Sequence, residues 1–165
     1  TKGIYLCILV VLGWIMIIRD IMNNKFDNYT IKIFASLYVS NDAVGLFRVS
    51  NLPTSTRLHH TASIIFLFVA WNVDFQQSNV GQLLLLYTYF SAISFPVNLY
   101  LGLRLCYDNM EWLKVISKFV YVVGCLCNWY IQIKWSVATS EVYMYMLLLC
   151  VIIMDDIVLL KWLWK

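Results

Sequence analysis

The longest uncharged apolar run in the sequence is VGQLLLLYTYFSAISFPVNLYLGL, residues 80–103. A helix that crosses the hydrocarbon core of a bilayer needs about 20 mainly apolar residues, so this run is long enough to cross once. Pro96 stands in its second half, and a proline inside a helix removes one backbone hydrogen bond and collides with the preceding turn. The run therefore predicts a membrane-spanning helix near residues 80–104 with a kink close to Pro96.

Other apolar runs lie on both sides of this one, and short polar turns separate them. They are too long and unbroken for strands of a soluble sheet, and their lengths suit membrane helices. The spans predicted in this way lie near residues 4–22, 31–47, 58–73, 80–104, 112–133 and 142–160. We therefore predict an all-α fold in which residues 1–165 form a single transmembrane domain, a polytopic membrane protein with about six transmembrane helices.

The composition supports a membrane protein and argues against other classes. Of the 165 residues, 62% are hydrophobic and 13% are charged, and no single soluble core of this size hides so many apolar side chains. The 12 basic and 9 acidic residues are scattered, so nucleic acid is not a predicted partner. The five cysteines lack the paired spacing of a zinc site, and we expect them to be reduced packing residues.

Basic residues are distributed unequally between the two ends of the predicted helices. Eight of them lie on the side of the N-terminus and four lie on the other side. The positive-inside rule then places both termini on the cytosolic or matrix side of an intracellular membrane, either the endoplasmic reticulum or the mitochondrial inner membrane. The first residue is Thr1 and not Met, so we expect the chain to be processed or incomplete at its start.

Several polar side chains on different predicted helices share one depth. A helix rises about 1.5 Å per residue, so Asp42, six positions before Arg48, lies roughly 9 Å inside the boundary that the arginine marks. The same arithmetic gives roughly 4 to 9 Å for the other sites. The sites are Asp42, His60, Asn98, Asp155 and Asp156. Ionisable groups are costly against hydrocarbon, so we predict an interior polar chamber; the alternative is that these groups reach up to the headgroups.

His59 and His60 are adjacent, and they are the only histidines. Histidine exchanges protons near neutral pH, which suits general acid–base catalysis. Two histidines are too few for a di-iron centre, and neighbours about 100° apart on a helix cannot bind a haem from both faces, so no metal is predicted. For the histidine that faces inward, Asp42 is the nearest orienting group in depth. The alternative is a pair of interfacial histidines at the end of a loop.

The order of several short segments resembles the TLC-domain membrane proteins, named for their translocating-chain, longevity-assurance and CLN-type members. The segments are YVSND (residues 38–42), Leu52-Pro53, His59-His60, Gly81 and SFPVN (residues 94–98). The resemblance covers about residues 31–105. It implies a TLC-like bundle of six or seven helices around a lipid-accessible cavity and, for the ceramide synthase branch, an acyl-CoA-dependent N-acyltransferase.

The resemblance also implies roles for individual residues. His59 and His60 become the catalytic base and acyl acceptor, and Asp42 becomes their acidic partner. The residues predicted to line the lipid cavity or polar chamber are Ser94, Pro96, Asn98, Asp155 and Asp156. The chain departs from the family where acidic residues are expected, because these positions hold Tyr89 and Ala92. Asp155 and Asp156 of the last span are candidates to replace them.

These observations favour a protein that binds lipid acyl chains in an intramembrane cavity, in lipid or sphingolipid metabolism or in membrane-composition homeostasis, with a degenerate acyltransferase site. Whether it is an enzyme stays open; no bound cofactor is predicted, and acyl-CoA is the candidate substrate. Membrane lipids are the predicted partners, with other membrane-protein subunits as candidates. The alternative is a non-catalytic accessory subunit of a larger membrane complex, for example a mitochondrial one, and a proton-conducting channel is a third hypothesis.

Overall fold

The computed structural model describes residues 2–23, 25–138 and 143–165, and every regular element in them is an α-helix. The helices are α1 (Lys2–Asn23), α2 (Asn28–Arg48), α3 (Thr54–Asn72), α4 (Asn79–Ile93), α5 (Phe95–Leu103), α6 (Glu111–Ala138) and α7 (Tyr143–Leu163). The all-α prediction is confirmed. The helices extend beyond several predicted spans, because hydropathy marks the apolar part of a helix while capping residues decide where the helix ends.

The long apolar run that contains Pro96 is broken into two helices. Ser94 lies between α4 and α5 with its hydroxyl bonded to the carbonyl of Ser91 at 2.5 Å, and Pro96 sits in the first turn of α5. A proline is tolerated there because the first amides of a helix have no carbonyl partner. The predicted kink is therefore a change of helix, placed two residues before the proline.

Two helical stretches of the described chain are long and apolar enough to cross a membrane. One is α4 together with α5, Asn79–Leu103, and the other is α6, Glu111–Ala138. By length and composition these stretches indicate association with a membrane.

The helices pack as neighbours in an order that differs from their order in the chain. The main contacts join α2 with α3, α1 with α5, α3 with α7, and α6 with both α4 and α5. The largest apolar core lies between α3, α4 and α7, where the ring of Phe66 stacks on Tyr145 at 5.2 Å and meets Tyr87 edge-on at 5.4 Å. Because α7 lies against α3, residues from the end of the chain reach the histidine pair.

Helix α6 is amphipathic with its polar side turned inward. Its buried face includes Ser117, Asn128 and Gln132, of which Ser117 and Gln132 are completely buried, whereas Phe119 is 70% exposed and Val137 is 77% exposed. A surface helix of a soluble protein has the opposite arrangement, with the apolar side against the core. The inversion places polar groups inside the bundle and apolar groups on its outside.

Two loops are clasped together at one end of the bundle. The side-chain amide of Asn28 donates to Asp74 at 2.9 Å, and the backbone amide of Phe75 donates to the Asn28 oxygen at 2.7 Å. The hydrogen bond from Asn28 holds the pKa of the Asp74 carboxyl below its usual value of 3.8. The clasp joins the first residue of α2 to the α3–α4 connection, so the α1–α2 and α3–α4 connections lie on the same side of the bundle.

Candidate functional site

A cavity of about 450 Å³, with several polar and ionisable side chains in a mainly apolar wall, lies at the opposite end of the bundle from the clasp. We call it the histidine cavity, because His59 and His60 both line it. Residues from all seven helices contribute, and its polar lining includes Ser94, Asn98, Asp155 and Asp156. Of the residues predicted to line a chamber, Pro96 is buried in α5 but is not part of this lining.

His60 is held by α2. Its Nε2 lies 3.6 Å from Oδ1 of Asp42, and the Asp42 side chain is completely buried. On the same side of α2, a Cβ added at Gly45 would lie 3.0 Å from Cε1 of His60 and 3.2 Å from its Nδ1. The absence of a side chain at Gly45 therefore lets the His60 ring lie against α2, with both of its nitrogens on that side.

His59 is paired with a different carboxylate, from the last helix. Its Nδ1 lies 3.2 Å from Oδ2 of Asp155, and the Thr56 hydroxyl lies 3.5 Å from the other oxygen of that carboxylate. An imidazole whose Nδ1 is oriented by a carboxylate presents Nε2 to a substrate, which is the arrangement of a general base. His59 lines the histidine cavity, and its Nδ1 lies close to the Asp155 carboxylate without forming an aligned hydrogen bond to it.

Asp156, the neighbour of Asp155, is fixed by two donors on α6. The Tyr121 hydroxyl donates to it at 2.7 Å, and the indole N–H of Trp129 donates to it at 3.0 Å. Buried carboxylates need such partners, because burial without them costs several kcal/mol. The two bonds tie α7 to α6 and fix the carboxylate at the wall of the cavity.

A buried amide, Gln132, lies behind Asn128 of the histidine cavity and has its hydrogen bonds satisfied. Gln132 donates to the Leu83 carbonyl at 2.9 Å and to the Asn128 oxygen at 3.3 Å, and it accepts from the Tyr145 hydroxyl at 2.5 Å. Asn128 itself lines the cavity. Because the hydrogen bonds of the Gln132 side chain are used in linking α4, α6 and α7, we interpret it as a structural group and not as a ligand-binding group.

The structure brings together most of the residues that the sequence singled out. His59, His60, Ser94, Asn98, Asp155 and Asp156 line one cavity, and Asp42 lies behind His60. Sequence reasoning missed Tyr121 and Trp129, the partners of Asp156. The inward face of α6 is marked in the sequence by mostly polar residues that recur every three or four positions, and this spacing would have identified Tyr121. These residues are Ser117, Tyr121, Cys125, Asn128, Gln132 and Ser136.

The residues that the structure describes contain no cluster of three or more histidine, cysteine or acidic side chains suited to hold a metal ion. Comparison of the chain with known protein families, with curated proteins and with solved structures found no match. The function must therefore be argued from the geometry of the histidine cavity.

Proposed function

We propose that this chain is an integral membrane protein that holds a lipid in the histidine cavity and carries out acyl transfer there with His59 as the base. The observation that carries the proposal is the His59–Asp155 pair at 3.2 Å on the wall of a cavity of about 450 Å³. The cavity combines ionisable groups with apolar walls such as Leu101 and Leu159, and this combination suits a ligand with a polar end and a hydrocarbon tail.

Three features support a membrane location for all the helices. The sequence has six apolar runs, two of which lie in helical stretches long and apolar enough to cross a membrane. Helix α6 has its polar side inside and its apolar side outside. The clasp holds the first and third connections on one side, as alternate crossings require. With α4 and α5 counted as one broken crossing, we propose a bundle of six spans, within the six or seven helices that the TLC resemblance implies. In this proposal both termini lie on the more basic, cytosolic or matrix side.

The proposed chemistry is transfer of an acyl group from acyl-CoA to an amine or hydroxyl of a second lipid. The Nε2 of His59 takes the proton of the attacking group as that group forms a bond to the thioester carbonyl. The carbon–sulfur bond then breaks, and the thiolate receives the proton back from the imidazolium. Asp155 orients the ring and stabilises its positive charge, in place of the family carboxylates that are absent at Tyr89 and Ala92. This role fits lipid metabolism of the sphingolipid type.

Incorporation of label from radioactive palmitoyl-CoA into lipid, by the protein in nanodiscs, tests this proposal. We expect His59→Ala to lower incorporation roughly 100-fold or more, and Asp155→Asn to lower it less. The matched control is Asp108→Asn, since Asp108 is an exposed carboxylate between α5 and α6, and it should leave incorporation unchanged. Unchanged incorporation in His59→Ala would end the enzymatic proposal. Purification within a large assembly without bound lipid would favour the accessory-subunit alternative instead.

A further inference from the structure

A second, narrow cavity lies between α1, α2, α3 and α4. We call it the slot; its volume is about 70 Å³, and its walls are largely apolar, with Phe34, Ala35, Phe66, Ala70 and Leu84 among them. Along α2 the lining runs from Thr30 to Val39, which corresponds to roughly 14 Å of helix. A long, thin and mostly apolar space suits an extended hydrocarbon chain better than it suits a compact or polar ligand.

Tyr38 separates the slot from the histidine cavity. Among the described residues that line either space, it alone lines both. Tyr38 is 5% exposed, and its hydroxyl interacts with the side chains of Ser91 and Tyr87. Asp42 follows Tyr38 by four positions on the same face of α2, so the partition stands beside the His60–Asp42 pair.

We propose that the slot receives the hydrocarbon tail of the lipid whose polar end lies in the histidine cavity, and that Tyr38 is the residue that determines how long a tail is accepted. This inference rests on the proposed function, because it requires a lipid in the histidine cavity. A tail that leaves the cavity toward the slot must pass the Tyr38 ring. Removal of the ring joins the two spaces, and a larger ring separates them more completely.

Photolabelling with fatty acids that carry a diazirine on the terminal carbon tests the inference on the full chain in nanodiscs. In the wild-type protein, a decanoic acid probe should label the wall of the histidine cavity, and a stearic acid probe should label the slot, at residues such as Ala70 and Leu84. The labelled residues are identified by mass spectrometry of peptides. This map needs no substitution, so a variant that fails to fold does not affect it.

Variants then test the role of Tyr38. Tyr38→Ala should raise the labelling ratio of the stearic to the decanoic probe about tenfold, and Tyr38→Trp should lower it. Ala70→Phe, which fills the slot, should remove labelling by the stearic probe at the slot and keep labelling by the decanoic probe in the cavity. Tyr130→Ala is the matched control, because Tyr130 is 65% exposed on α6, and it should leave the ratio unchanged.

The outcomes separate this inference from the proposed function. If the decanoic probe labels the histidine cavity but the stearic probe labels only the outer face of α6, for example at Phe119, the slot is not a tail site and the inference is overturned. If neither probe labels either cavity, the lipid-binding function itself is wrong, and the inference falls with it. If the slot is labelled but the ratio is the same in wild type and Tyr38→Ala, Tyr38 does not determine tail length.

Discussion

Substitution of Gly45 by alanine would test how His60 is positioned without changing any charge. The added Cβ would lie 3.0 Å from Cε1 of His60 and 3.2 Å from its Nδ1, whereas carbon atoms in ordinary contact lie about 3.5 to 4.0 Å apart. The ring must therefore retreat by about half an ångström. The ring and the Asp42 carboxylate are an ion pair with Nε2 and Oδ1 3.6 Å apart, so we expect this shift to change the distance between them.

The energetic consequence of Gly45→Ala is the sum of two opposing contributions. Alanine is favoured over glycine in a helix interior by about 1 kcal/mol, and overpacking against a buried ring costs about 1 to 3 kcal/mol. Gly102→Ala in α5 is the matched control, because an added Cβ there meets no atom within 4 Å. We expect Gly102→Ala to be the more stable variant by about 1 to 3 kcal/mol.

Reversible unfolding in mixed micelles, followed by tryptophan fluorescence, measures the stability difference between the two variants. The position of the ring is measured separately by histidine side-chain NMR, since the chain has only 2 histidines and their signals can be told apart by His59→Ala. The His60 signal should shift in Gly45→Ala and stay in place in Gly102→Ala. Equal stabilisation by both substitutions, with an unmoved His60 signal, would refute the proposed contact between His60 and α2.

Three further predictions concern the clasp and the packing of the helices. Gly3→Ala should destabilise the protein by about 1 to 3 kcal/mol in the same unfolding assay, because its Cβ would lie 2.7 Å from the backbone nitrogen of Leu99; wild-type stability would contradict this. Since the pKa of Asp74 is lowered below 3.8 by Asn28, its contribution to stability should be present above that pH and be lost as the pH falls through the lowered pKa, and Asn28→Ala should weaken this dependence in acid titrations of the unfolding midpoint. Gln132→Leu leaves its buried partners unsatisfied and should cost about 1 to 3 kcal/mol, and an unchanged midpoint would show that the Gln132 hydrogen bonds do not stabilise the bundle.

The amino-acid sequence alone predicts those features of the fold that depend on residues close together in the chain. The apolar runs predict helices wherever they occur, and Pro96 predicts a break because its ring disturbs the turn before it. The rise of a helix placed Asp42, His60 and Asp155 at similar depths. The resemblance to TLC-domain proteins and the functions it implies stay predictions, because no comparison or structural feature tests them.

The pairing of acids with histidines depended on the packing of the helices. Depth along a helix follows from counting residues, but the direction of a side chain around the helix depends on which neighbour that helix packs against. Because α7 lies on α3, Asp155 meets His59, and because Gly45 allows close approach, His60 turns to Asp42. The position of Tyr38 between the two cavities also depends on packing. The slot is formed by four helices, and the sequence does not show how these helices are arranged around it.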